Sequence, residues 1–230
     1  MSQLKTKPVL LGQPLARILL EAGLVGADAL AFALDLCIEK QYSLGKILTR
    51  QFIITPHVRR SALNAILFVG SRVITQQHAI AALKAAYRTG KDLPDIVGQE
   101  SWLFWKLANE MVASGIFSEN EILDIVEHTI EQNVLWNWSP SASSAITAAL
   151  KLEATTAIQE KLARGSIDAT TAMNLCKQFR LSAAFISDCI KSAAEAKDIT
   201  IRPLRMPTIS GSFMKPIIHK ALPQSLHKGA

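Results

Sequence analysis

Residues 15–38, LARILLEAGLVGADALAFALDLCI, hold two apolar segments of helical period joined by a glycine turn. Leu15, Ile18, Leu19 and Ala22 form one stripe, Gly23 supplies a C-cap, and Asp28 suits the first turn of the next helix. Leu30, Ala33, Leu34 and Cys37 continue at i, i+3, i+4 and i+7. Helices this short cannot bury their apolar faces alone, so the pattern demands neighbours of the same kind.

The chain supplies them. In residues 43–66, Leu44, Ile47 and Leu48 make a first stripe and Ile53 and Ile54 cross the turn. Thr55 and Pro56 read as an N-cap with proline at N1, and Ala62, Leu63, Ile66 and Leu67 follow. A shortened copy runs through Thr75, Ala79, Ala82, Leu83 and Ala86. Pro94 and Gly98 then loosen the pattern, which places a boundary near residues 97–100. A second block opens at Trp102 and repeats the plan through Gly115, Ile116, Phe117 and Ser118. Ser118 and Glu121 are spaced as a capping box. Glu121, Asp124, Glu127 and Glu131 read as a solvated carboxylate face, residues 133–138 as a short strand or aromatic plug, and residues 181–196 as a final helix.

Apolar residues make up 49% of the chain, weighted towards Ala and Leu, which favours helices over strands. No window reaches the roughly 18 uninterrupted apolar residues of a membrane span, and the most apolar run, residues 62–69, reads as a buried helix. Lysines before an apolar run superficially suggest a leader, but Pro8, Pro14 and Arg17 break it, so an arm is expected there. Cys37, Cys176 and Cys189 lack disulfide spacing and suit a reducing cytoplasm. The net charge is +6, yet Lys5, Lys7, Arg202, Arg205, Lys215, Lys220 and Lys228 leave a charge of only −1 between them. Basicity therefore belongs to the ends, and residues 201–230, rich in proline and free of acids, read as a disordered basic tail.

The expected fold is mainly α: stacked short helical hairpin repeats in two blocks, residues 8–98 and 99–200, followed by that tail. No P-loop, nucleophile elbow, dinucleotide fingerprint or paired metal spacing is present, and His57, His78, His128, His219 and His227 are scattered. Neither an enzyme nor a cofactor is expected.

The unit with Leu15, Leu19, Gly23, Leu24, Val25, Leu30 and Leu34 resembles the MshEN-type N-terminal domain of type II secretion and type IV pilus ATPases, the GspE N-terminal family. The resemblance covers about residues 15–97 and, more loosely, 106–130. It implies tandem helix pairs, docking to partner proteins and, in a subset, binding of cyclic di-GMP through Arg-Leu-Gly, a turn glycine and a glutamine. Gly23, Leu44, Gly45, Lys106 and Gly115 match such positions or offer a substitute. Pro14, Ala16 and Cys37 depart from them in the first copy, and Ser43, Phe52 and Ile66 in the second, where Arg59 also stands in place of a core leucine. No Walker motif follows, so the expectation is a relative without the motor. The second block also bears a short likeness to a PATAN-type regulatory domain.

The leading expectation is a non-catalytic bacterial interaction or regulatory adaptor with a protein partner, linked to secretion, pilus or signalling machinery. Trp102, Trp105, Trp136 and Trp138, with Phe213, Met214, Ile217 and Ile218 in the tail, are its candidate anchors. One alternative is a cyclic dinucleotide receptor with altered contacts. Another is weak, salt-sensitive binding of nucleic acid or an anionic membrane by the tail.

Overall fold

A computed structural model describes residues 13–134 and 142–182, with Ser187 and Lys191 beyond them. Ten helices are described: α1 (Pro14–Glu21), α2 (Ala27–Lys40), α3 (Leu44–Arg50), α4 (Pro56–Gly70), α5 (Gln76–Thr89), α6 (Leu93–Val97), α7 (Leu103–Ala113), α8 (Glu119–Val134), α9 (Ala142–Ala163) and α10 (Ala169–Gln178). No strand occurs among the described residues. The fold is thus the mainly α one expected. Residues 135–138 of the expected plug, twelve of the sixteen residues of the expected final helix, and the basic tail lie outside the described residues.

One turn is used repeatedly. Gly23, Phe52, Arg72, Gly115, Gly165 and Arg180 all have φ between 53° and 71°. At five of the six the next residue's N–H bonds back five residues, as from Leu24 to the Leu19 carbonyl and from Ile53 to that of Leu48. This is the Schellman arrangement, which satisfies the last carbonyls of a helix. An N-cap follows at a fixed offset: Thr55, Thr75 and Asp168 accept from the N–H groups of Val58, His78 and Thr171. The Ser118–Glu121 capping box forms in both directions. Glycine makes the left-handed position cheap at Gly23 and Gly115, whereas Phe52, Arg72 and Arg180 occupy it with a side chain.

Helix α4 lies at the centre. It touches α1, α3, α5, α6 and α8. Ten of its fifteen residues are buried, including Ala62–Phe68 without a gap, as a helix apolar on all sides requires. In the second block α9 packs on α7, α8 and α10. One continuous cluster of buried apolar residues runs from Leu15 to Phe179, so the contact of α8 with α3 and α4 carries the core from one block into the other. No described helix is long and apolar enough to cross a membrane.

Candidate functional site

The apolar stripe of α4 contains an arginine, and α8 meets it with a glutamate. Arg59 and Glu127 are both almost fully buried. Arg59 Nε and Nη2 donate to Glu127 Oε2 at 2.8 and 2.5 Å, and Nη2 also donates to Asp124 Oδ1 at 2.7 Å. The other Glu127 oxygen accepts the Gly45 N–H at 2.8 Å. Lys46 Nζ completes the network at 2.6 Å from Asp124 Oδ2. Burial pushes the Glu127 carboxyl above its ordinary range, against the pull of Arg59 and the Gly45 N–H. Glu131, one turn on and half-buried, is raised to about 7 by burial and by the nearby Glu127. The half-buried Cys37 thiol is raised to about 11, again by burial first and by Glu127 and Glu131 next.

The carboxylate row of α8 is therefore not the uniform solvated face expected from sequence. Glu121 is exposed and held low by the Ser118 N–H, but Glu127 points inward between Leu123 and Ile130. The reason is Arg59, a charge in a stripe of leucines, which cannot be buried without a partner.

Gly45 has a specific role in this arrangement. A Cβ there would overlap Glu127 Oε2 and Arg59 Nε, so the network closes over the glycine. Beside it opens a cleft of about 570 Å³ lined by Lys46, Arg50, Phe52, Arg59, Glu121 and Asp124. Lys46 and Arg50 both lie over the Tyr42 ring, at 4.9 and 4.6 Å. Phe52 stands at the edge, 94% exposed.

The other sequence candidates fall in different places. Leu44 is a core residue. Gly23 and Gly115 sit in open turns, where an added methyl would meet nothing within 4 Å. Lys106 is exposed and lines a separate cleft that includes none of the other four. Trp105 is buried; its Nε1 donates to Asn64 Oδ1 at 2.6 Å, and Arg60 lies 4.5 Å above its ring. Trp102 is half-buried and stacks on Phe68 at 5.6 Å. These two rings thus join α7 to α4. Trp136, Trp138, Phe213, Met214, Ile217 and Ile218 lie outside the described residues. No three His, Cys, Asp or Glu side chains come together as a metal site among the described residues.

Lys46, Phe52, Asp124 and Glu127 are site residues that the sequence reading did not propose for binding. The signal for Phe52 was its place at a glycine position, and that for Glu127 was the unpartnered arginine of α4. Comparison with protein-family models, with curated proteins and with solved structures gives no match.

Proposed function

We propose that the chain is a non-catalytic interaction module that docks a protein partner at the α3–α4 turn. The observation carrying this reading is Phe52. It holds a left-handed conformation that glycine would adopt at lower cost, and its ring is 94% exposed. The side chain therefore stabilises nothing in the isolated chain. Burying it in a complementary pocket would contribute about 2–3 kcal/mol to association. Arg50 and Lys46, fixed over Tyr42, flank the cleft behind it and would orient the partner.

The cyclic dinucleotide reading has less support. The Gly45 N–H is already taken by Glu127, and the glycine face that a base would need is covered by Arg59.

The test is a cross-linking pull-down from native cells with the wild-type chain and with Phe52→Asp, both checked for equal melting temperature. A stoichiometric partner captured by the wild type and lost from the variant is expected. Equal capture by both would contradict the assignment. Calorimetric titration with cyclic di-GMP should show no heat up to high micromolar ligand, and saturable heat would favour the receptor instead.

A further inference from the structure

A second cleft, of about 660 Å³, lies between α7, the start of α9 and the residues just after α10. Its size falls in the range of small-molecule sites, about 300–1,000 Å³. Three cations from three separate segments line it: Lys106 of α7, Lys151 of α9 and Arg180 beyond α10. Glu110 is the one acid among its lining residues. None of the three cations forms an ion pair among the described residues. The cleft beside Arg59 differs in this respect, since Lys46 pairs there with Asp124, and Arg59 with Asp124 and Glu127. Three cations against one acid leave the described lining of the second cleft with an excess of positive charge.

Its remaining lining is of two kinds. Leu103 stands 84% exposed at the rim beside the half-buried Leu107, and Phe104 and Phe179 lie beneath, buried in the core. A ligand that satisfied only the cations would leave Leu103 in water, and one that satisfied only the apolar surface would desolvate three charges without a partner. An anion joined to an apolar body satisfies both.

We propose that this cleft binds a small amphiphilic anion, an organic phosphate or sulfonate whose headgroup sits among Lys106, Lys151 and Arg180 and whose apolar body lies against Leu103 and Leu107. This assignment is independent of docking at Phe52, which lines the other cleft.

The probe is 8-anilinonaphthalene-1-sulfonate, an anion with an aromatic body, titrated by fluorescence into the full chain. One saturable site is expected. Dodecyl phosphate below its micelle concentration should displace the probe, while neutral dodecyl maltoside and inorganic phosphate at the same concentration should not. Lys106→Glu with Lys151→Glu should weaken binding by about tenfold or more, the order expected for lost charge-assisted contacts. Arg88→Glu, a charge change outside the cleft, should leave it unchanged. If the double variant does not fold, Arg180→Gln, at an exposed position, should still weaken the probe about threefold or more. Unchanged affinity in folded variants would overturn the proposal, as would equal displacement by the neutral detergent. Displacement by phosphatidylglycerol vesicles alone, with none by dodecyl phosphate, would overturn it in favour of a membrane surface.

Discussion

Replacing Gly45 by alanine sets two physical effects against each other. Gly45 lies in the first turn of α3. Helix propensity alone favours alanine, by up to about 1 kcal/mol in a helix interior. The added methyl, however, would occupy the space of Glu127 Oε2 and Arg59 Nε. Both groups are buried, and each is held by bonds to the other, so neither can swing into solvent. Displacing them separates a buried ion pair, a change that costs about 3–5 kcal/mol when one partner is removed outright. The net expectation for Gly45→Ala is a loss of about 2–4 kcal/mol. At about 2–4 °C per kcal/mol for a chain of this size, the melting temperature should fall by roughly 10 °C. Urea denaturation followed by circular dichroism measures the free energy, and a thermal melt measures the shift. Gly26→Ala is the control, because a methyl there meets nothing within 4 Å and its φ is −73°. Its effect should stay at about 1 kcal/mol or less. A Gly45→Ala variant as stable as the wild type, or more stable, would refute the close-approach argument and restore a ligand-binding role as the reason for a glycine.

Two further outcomes follow from the same interface. Because the folded pKa of Glu131 is raised from 4.5 to about 7, the folded chain binds more protons than the unfolded chain between those values. Stability should therefore fall as pH rises through that window, and Glu131→Gln should flatten the dependence and raise stability at pH 8, as read by urea midpoints across pH. Asn64→Leu removes the acceptor of the buried Trp105 indole N–H and should cost about 1–3 kcal/mol, measured by denaturation; a neutral result would mean that the indole finds another acceptor.

Much of the architecture was legible because it is set by local chemistry. Gly23, Thr55, Thr75 and the Ser118–Glu121 pair each mark a turn through a backbone requirement that sequence spacing displays. The apolar run of residues 62–69 in α4, interrupted only by Asn64, likewise identifies a helix covered on all sides. The charge network was less legible, because its pairs span 68 and 65 residues and no local pattern connects them. Arg59 could be seen to occupy a leucine position, but which carboxylate would answer it depends on how α8 packs. Gly45 shows the same limit. Its match to a ligand motif and its role as a space-maker for an ion pair both call for a residue without a side chain. Phe52 carries the opposite lesson: its departure from glycine was visible, while its exposure is set by how the hairpin is stacked.

The central structural claim is that a buried Arg59–Glu127 pair joins the two helical blocks. A double-mutant cycle with Arg59→Met and Glu127→Leu tests it directly. Each single variant should lose about 3–5 kcal/mol by leaving a buried charge without its partner, and the double variant should recover much of that loss, giving a coupling energy of about 2 kcal/mol or more. Losses that add to within about 0.5 kcal/mol would show that the two side chains do not interact, and would contradict the account.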